Sequence, residues 1–184
     1  MSMPGSVASA PTAAAIRHDG SVDVDALLWA VAEEQRRLGR RVRGLLMTYP
    51  EGNQQACAPM VLVDLGEGGA YRVSQALGGG SASCRADTQG FTRASAVLRQ
   101  ALRDAPDLVI VNRFGSLESE GGGFSAELLD LLAAGVPLLT AVATRYESAW
   151  TRFTGGTTLL PAALNAVREW LDRTLVPAAA DRTG

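Results

Sequence analysis

The stretch "DLVIVNRFGSLESEGGGF" (residues 107–124) decides the fold class of this chain. Its apolar run at residues 108–111 is continuous, which predicts a buried strand of a parallel sheet. That strand delivers Asn112, Arg113 and Glu118 into a glycine-rich loop, and a helix begins after the loop. Because α/β proteins place ligand-binding groups in such loops, the stretch raises the question of what chemistry these side chains support.

The segments on either side predict further strands that alternate with helices. The predicted strands are residues 13–16, 42–48, 59–65, 70–74 and 136–142, with an edge strand within 155–160; the predicted helices are 23–38, 92–102, 124–134, 147–153 and 161–175. The turn "GEGG" predicts a β-hairpin between the third and fourth strands, and Leu38 is expected on the buried face of the first helix. The pattern predicts a three-layer α/β fold with a mainly parallel sheet, helices on both faces and one β-hairpin.

Length and composition limit the classes of function. With 184 residues, 47% of them apolar, we expect one domain at residues 13–176 between tails at 1–12 and 177–184. Neither a signal peptide nor an apolar run of about 20 residues is evident, so we expect a cytoplasmic protein without membrane insertion. A net charge of −2 argues against nucleic acid as a partner. Two cysteines and one histidine predict no metal site, and all 17 basic residues are arginine, so no catalytic lysine exists.

Three unusual loops should meet at one end of the sheet, beyond the carboxyl ends of its strands. They are the turn at residues 17–23, the Gly/Ser-rich loop at residues 75–90, and the loop that follows residue 111. Backbone amides and hydroxyls of Gly/Ser-rich loops bind small anions, although such loops are also common as plain surface connections. We therefore expect a ligand site at this end of the sheet.

Three motifs give the chain a resemblance to a known family. The stretch quoted above, "SQALGGGSASCRAD" (residues 74–87) and "AAGVPLLTAV" (residues 133–142) resemble the bacterial family catalogued as domain of unknown function 2478. Members of that family resemble P-loop nucleoside triphosphatases of the THEP type and are often encoded beside molybdate-transport genes. The resemblance covers about residues 13–171 and implies a P-loop-like α/β fold, without implying a reaction.

The chain departs from the nucleotidase pattern in two segments, the P-loop and the segment that follows the later strand. A P-loop needs G-x-x-x-x-G-K-[ST], in which lysine reaches the phosphates and Ser or Thr holds Mg²⁺. Here the corresponding segment, "IRHDGSVDVDALL" (residues 16–28), has no lysine and carries Asp19, Asp23 and Asp25. Where the THEP-type pattern resembles "D-E-x-G", this chain has "NRFG" (residues 112–115), although Glu118 resembles the acid that follows. We expect efficient ATP or GTP hydrolysis to be absent.

The candidate site residues come from the three loops, and we predict no catalytic residue. The ligand-binding set is Gly20, Ser21, Ser74, Gln75, Gly79, Gly80, Ser81, Ser83, Cys84, Arg85, Asp87, Asn112, Arg113, Phe114, Gly115, Glu118, Gly121 and Gly123. In this interpretation Arg85, held by Asp87, and Arg113 donate to an anion that Glu118 helps to orient. The alternative is structural: Arg113 pairs with Glu118 or Glu120, and the Gly/Ser loop only connects strands.

Two further side chains leave alternatives open. Cys84 is either a reactive thiol beside Arg85 or an inert buried cysteine, and the second is more common. His18 is either part of an acid/base pair with Asp19 or a solvent-exposed histidine at a turn, and again the second is more common.

Three functional hypotheses follow. The first is a non-catalytic protein that binds a small oxyanion, with molybdate or tungstate favoured over sulfate and phosphate because of the family's gene neighbourhood. The second is a nucleotide-binding protein or weak Mg²⁺-dependent nucleoside triphosphatase that uses Glu118 or Asp87. The third is an interaction module for a molybdenum-transport or cofactor-assembly protein, with a homo-oligomer formed through helical faces.

Overall fold

The computed structural model describes residues 12–49, 60–76 and 84–175 of the chain. Its strands are β1 (Ala13–His18), β2 (Val42–Thr48), β3 (Val61–Asp64), β4 (Ala70–Arg72), β5 (Ser74–Ala76), β6 (Cys84–Ala86), β7 (Leu108–Phe114), β8 (Leu138–Ala143) and β9 (Thr158–Pro161). Its helices are α1 (Val24–Arg37), α2 (Thr88–Asp104), α3 (Ser116–Ser119), α4 (Ser125–Ala133), α5 (Glu147–Thr154) and α6 (Leu164–Thr174). A 3-10 turn, Thr144–Tyr146, connects β8 to α5.

In the described part of the chain, seven strands form the central sheet, in the order β4-β3-β2-β7-β8-β1-β9. The five strands from β2 to β9 in that order are parallel to their neighbours. At one edge β3 and β4 run antiparallel, which confirms the predicted hairpin, and β9 is the predicted edge strand. Strands β5 and β6 form a separate antiparallel pair, which was not predicted.

The sheet is covered on both faces, which gives the predicted three layers. Along β1, Ala13 and Ala15 pack in one apolar cluster, whereas Ala14 and Ile16 pack in the other. The first cluster includes buried side chains of α2, α4 and α5, and the second includes those of α1 and α6. Successive side chains of a strand point to opposite faces, so an all-apolar strand must be buried on both sides. This is why continuous apolar runs predicted the parallel strands correctly.

Local signals set the ends of the helices. The Asp23 carboxylate accepts a hydrogen bond from the Ala26 N–H (3.0 Å) and begins α1. Gly39 (φ +79°) and Gly135 (φ +68°) follow α1 and α4 in the left-handed conformation that ends many helices. The residue Leu38, expected to be buried, caps α1 and is 62% exposed, because the helical periodicity stops before it.

Gly44 permits the close approach of β2 to β7. Its φ of +123° is unfavourable for other residues, and a Cβ at this position would overlap the backbone carbonyl of Ile110. The centre of the parallel sheet therefore requires glycine at this point.

Two predicted boundaries were wrong near the candidate loops. The strand predicted at residues 70–74 ends at Arg72, and Ser74 begins β5. The loop predicted at residues 75–90 is shorter, because the β5–β6 pair and the first turn of α2 occupy its ends. Among the described residues, no helix is long and apolar enough to cross a membrane.

Candidate functional site in a cleft at the carboxyl ends of the strands

A β-bulge at the end of β7 creates the site. Val111 lies opposite Thr140 and Phe114 lies opposite Val142, so β7 has one residue more than β8 over this interval. Arg113 adopts a φ of +55°, which is uncommon for a residue other than glycine. Bulges redirect side chains beside binding sites. Asn112 and Arg113 belong to β7, which ends at Phe114, and the prediction that they lie in a loop is wrong.

Asn112 offers an unpaired hydrogen-bond donor in a buried position. The side chain is 5% exposed, and its Oδ1 accepts a hydrogen bond from the Met47 N–H at 3.0 Å. Because Met47 presents a donor, the amide oxygen must face β2 and the Nδ2 must point away from it. Nδ2 is enclosed and has no hydrogen-bond partner among the described residues. An unpaired buried amide costs free energy, so this NH₂ group is a candidate ligand contact.

Arg113 pairs with the first turn of α1. Its Nη2 and Nε donate to the two carboxylate oxygens of Asp25 at 2.6 and 3.3 Å. Burial opposes the charge on Arg113, but the hydrogen bonds and negative charge of Asp25 outweigh it, and the pKa of the guanidinium is raised. The Tyr49 hydroxyl also donates to Asp25, at 3.5 Å. The alternative in which Arg113 pairs with Glu118 or Glu120 is therefore wrong, although Nη1 of Arg113 takes no part in the pair with Asp25.

Glu118 holds the loop after β7 in shape. The side chain is 6% exposed, with Oε2 accepting from the Gly115 N–H and Oε1 from the Phe124 N–H, each at 3.1 Å. Through the first of these contacts, the third residue of α3 accepts a hydrogen bond from the backbone N–H of the N-cap residue, Gly115. A Cβ at Gly123 would overlap Oε1, so glycine is required there as well. The carboxylate that resembles a nucleotidase acid thus fixes the loop backbone.

A cleft of about 400 Å³ lies between these groups and the helices of the first apolar cluster. It is lined by His18, Met47, Met60, Leu62, Val73, Phe91, Asn112, Arg113, Phe114, Gly115, Ser116, Leu117, Glu118, Phe124, Ala143, Arg145 and Tyr146. The lining is mostly apolar and aromatic, with a few polar groups that include Asn112. Such a combination is typical of small-ligand sites in proteins. In a P-loop protein the N-terminus of α1 would hold phosphate. Here no residue of α1 lines the cleft, although Asp25 in its first turn pairs with Arg113 of the lining.

In the turn after β1, the Asp19 carboxylate is hydrogen-bonded by Ser21 of the same turn. Asp19 Oδ1 accepts hydrogen bonds from the Ser21 N–H at 2.9 Å and from the Ser21 hydroxyl at 2.5 Å. The hydroxyl contact, followed by the backbone contact, lowers the pKa of Asp19. The Ser21 groups that a P-loop would offer to phosphate and Mg²⁺ are therefore already engaged by Asp19.

His18, at the end of β1, lines the cleft. Its Nε2 is enclosed and lacks a hydrogen-bond partner among the described residues. Burial lowers the pKa of the imidazole, and the positive charge of Arg113 lowers it further, against a smaller opposing effect of Asp25 and Asp19. The histidine is half-buried rather than solvent-exposed at a turn.

Comparison with known proteins agrees with this architecture. The chain matches, over residues 13–170, the family described as "Protein of unknown function (DUF2478)". The chain belongs to the DUF2478 family. It is also 36% identical over 149 residues to the molybdenum import ATP-binding protein ModC 2 of Bradyrhizobium diazoefficiens. That alignment covers 80% of this chain and 17% of the relative, so the chain spans less than a fifth of the relative's length. The predicted family and the P-loop-like α/β fold are both confirmed.

In this DUF2478 chain the predicted site residues fall into separate groups. The cleft brings together Asn112, Arg113, Phe114, Gly115 and Glu118, and adds His18, which was not in the predicted ligand-binding set. Gly20 and Ser21 do not line it. Gly121 (φ +82°) and Gly123 (φ +55°) shape the loop around Glu118. No group of three or more His, Cys, Asp or Glu side chains in the described ranges could hold a metal ion.

The Gly/Ser loop is described only at its two ends. Ser74 is buried, and its hydroxyl accepts from the Met60 N–H at 2.8 Å. Asp87 caps α2 by accepting from the Gln89 and Gly90 N–H groups, and Arg85 is exposed. The backbones of Gln75 and Cys84 belong to the β5–β6 pair. Four predicted residues, Gly79, Gly80, Ser81 and Ser83, lie outside the described residues, as does Cys57.

Sequence reasoning missed several residues of the cleft, and one of them had a usable signal. Arg145 follows β8, the strand next to β7, so the rule that ligands bind beyond the carboxyl ends of strands also applies to it. Its Cζ lies 5.0 Å from the ring centroid of Tyr146, a cation–π contact that positions the guanidinium. Phe91 gave no such signal, because its place in the cleft depends on how α2 packs on the sheet.

Proposed function

We propose that this domain is a non-catalytic binding protein for a small oxyanion, held in the cleft at the carboxyl ends of β1, β7 and β8. The observation that carries the proposal is the unpaired Nδ2 of Asn112, a buried donor in the lining of the cleft. An anion oxygen would supply the hydrogen bond that this amide lacks. A hydrogen bond to a charged group contributes about 1.5–3 kcal/mol, more than one to a neutral acceptor.

The charges around the cleft also favour an anion. Arg113 and Arg145 contribute guanidinium groups, and His18 gains a second N–H donor when it is protonated. Glu118 is the acidic residue of the lining, and each of its oxygens accepts a backbone N–H. The described lining therefore offers mainly donors to a ligand.

The turn after β1 supports a non-catalytic role. Phosphoryl transfer on this fold depends on a lysine and on a Ser or Thr that holds Mg²⁺. The chain has no lysine, and Ser21 donates to Asp19. We expect ATP, GTP or ADP with Mg²⁺ to leave the melting temperature unchanged. A nucleotide shift that depends on Mg²⁺ would instead favour the weak nucleotidase hypothesis.

Molybdate and tungstate are the favoured oxyanions. This choice rests on the printed name of the relative, a molybdenum import ATP-binding protein, and on the donor chemistry of the cleft. Titration calorimetry with molybdate, tungstate, sulfate and phosphate tests the proposal. We expect the first two to bind more tightly, and no heat from any of the four would contradict oxyanion binding.

An isosteric variant makes the test specific to one atom. Asn112→Asp keeps an oxygen for the Met47 N–H but replaces the Nδ2 donor with a second acceptor. We expect oxyanion affinity to fall at least about tenfold, or about 1.4 kcal/mol. Asn165→Asp makes the same change on the exposed surface of α6 and should leave the affinity unchanged.

A second proposal concerns a partner. In the relative, the region similar to this chain is 17% of a longer polypeptide named for molybdenum import. We propose that the present domain contacts a molybdenum-import ATP-binding protein when the two are separate chains. Co-purification of a tagged copy with that protein from the native host is the expected result, and recovery of no such subunit would contradict it.

A further inference from the structure

The cleft is larger than a bare oxyanion requires. Its volume of about 400 Å³ falls within the roughly 300–1,000 Å³ that is usual for sites of small organic ligands. At about 30 Å³ for each water in the liquid, it holds the equivalent of about 13 waters. A tetrahedral oxyanion on Asn112 would leave most of this space unfilled.

The walls of the cleft are aromatic and held in fixed orientations. Phe91 of α2 packs against Phe124 with ring centroids 5.1 Å apart and a tilt of 50°. Phe114, after the bulge in β7, packs edge-on against the buried Trp150 at 5.3 Å. Such pairs stabilise each ring beyond its burial alone. The cleft therefore has a preorganised apolar surface that a strongly hydrated inorganic ion cannot use.

The polar groups of the cleft differ in how deeply they are buried. Asn112 is 5% exposed and presents its unpaired Nδ2, whereas Arg145 is exposed and lies over the Tyr146 ring. Arg145 makes no side-chain hydrogen bond to another described residue, so its guanidinium edge is available. A ligand that uses all of these groups needs an anionic head and an apolar ring.

We infer that the ligand of this cleft is a flat aromatic oxyanion, whose charged head binds Asn112 and the guanidinium groups and whose ring lies against Phe91 and Tyr146, the half-buried rings of the lining. This inference rests on the proposed oxyanion site and specifies the class of compound that the site selects. An inorganic oxyanion would then occupy only the position of the ligand's charged head.

A series with one head group and a growing apolar part tests the inference. The probes are inorganic phosphate, methylphosphonate and phenylphosphonate, titrated into the wild-type protein by calorimetry. Burial of the added ring is expected to make phenylphosphonate bind at least about tenfold more tightly than methylphosphonate. Molybdate should compete with phenylphosphonate for the same site.

Two variants test the aromatic wall and the Asn112 donor separately. Phe91→Ala should bring the affinity ratio of phenylphosphonate to methylphosphonate close to one while methylphosphonate binding is retained. Asn112→Asp should weaken both phosphonates. Leu102→Ala is the control, because it removes a half-buried apolar side chain of the same helix from outside the lining and should leave the ratio unchanged.

The outcomes separate this inference from the proposed function. Equal affinities for the two phosphonates, or a ratio lowered as much by Leu102→Ala as by Phe91→Ala, would overturn the aromatic ligand class and leave oxyanion binding intact. Absence of heat from every phosphonate and from molybdate would overturn both.

Discussion

Replacement of Glu118 by glutamine should destabilise the domain, because this buried carboxylate accepts two backbone N–H groups at 3.1 Å. A glutamine side chain retains one acceptor but presents an NH₂ group to the second N–H. The variant thus loses one hydrogen bond to a charged acceptor, which contributes about 1.5–3 kcal/mol. It also leaves the glutamine NH₂ group facing a backbone N–H. We expect a loss of about 2–3 kcal/mol in the free energy of unfolding. For a chain of this size that corresponds to about 4–12 °C in melting temperature.

Glu120→Gln is the matched control for this experiment. It makes the same chemical change immediately after α3, where the carboxylate is exposed and, among the described residues, accepts only from the Ser116 hydroxyl at 3.3 Å. Its effect should stay within about 0.5 kcal/mol. Urea denaturation of the two variants and the wild type measures both values. Equal stability of Glu118→Gln and Glu120→Gln would refute the structural role of Glu118.

Magnesium gives a second readout for the same variants. If Glu118 served a metal ion, Mg²⁺ would stabilise the wild type by mass action and would not stabilise Glu118→Gln. We expect no Mg²⁺-dependent shift in either protein. A shift confined to the wild type would restore the nucleotidase interpretation.

Three further predictions concern other parts of the site and the sheet. The pKa of His18 is lowered in the folded protein by burial and by Arg113, so the folded state binds fewer protons than the unfolded state below about pH 6.5. The free energy of unfolding should therefore fall from pH 7 to pH 5, and it should fall less for His18→Gln than for the wild type in denaturation experiments over this range. The same dependence on pH in both proteins would contradict the lowered pKa of His18. Gly44→Ala should lower the free energy of unfolding by about 3 kcal/mol or more. Gly68→Ala is the control, because Gly68 also has a positive φ but faces open space, and it should cost only about 1 kcal/mol. Equal melting temperatures for the two variants would contradict the close contact of β2 with β7. Asp25→Ala should cost about 1–2 kcal/mol in denaturant unfolding, less than a fully buried pair because the Arg113 side chain is 43% exposed. The same variant should bind oxyanions more tightly by calorimetry, and weaker binding would mean that the pair positions Arg113 for the ligand.

The layers of the fold could be predicted from the sequence because the relevant signals are local. Continuous apolar runs identified the buried strands, and Asp23 and Gly135 marked helix ends through their own backbone chemistry. The start of α2 was missed because Gly90 resembles a helix breaker. In the structure Gly90 is needed for packing, since a Cβ there would overlap the carbonyl of Arg72 in the neighbouring β4. That contact depends on tertiary structure and leaves no mark in a single window of sequence.

The site was only partly predictable for the same reason. The rule for parallel sheets drew attention to the carboxyl end of β7, where Asn112, Arg113 and Glu118 line one cleft. Their partners were not predictable, because the bulge depends on the register with β8 and Asp25 lies 88 residues from Arg113. The aromatic wall provided by Phe91 also depends on how α2 packs over the sheet.

The contact between Asp19 and Ser21 has a consequence for the evolution of this fold. A carboxylate tethered two residues from its hydroxyl acts as an intramolecular competitor, whose effective concentration is in the millimolar range or above. A single mutation that introduced a lysine would still leave this internal competitor in place. Phosphate binding at the turn would require at least two changes, each of little use alone. A phosphate site at this turn is therefore difficult to reach by single mutations.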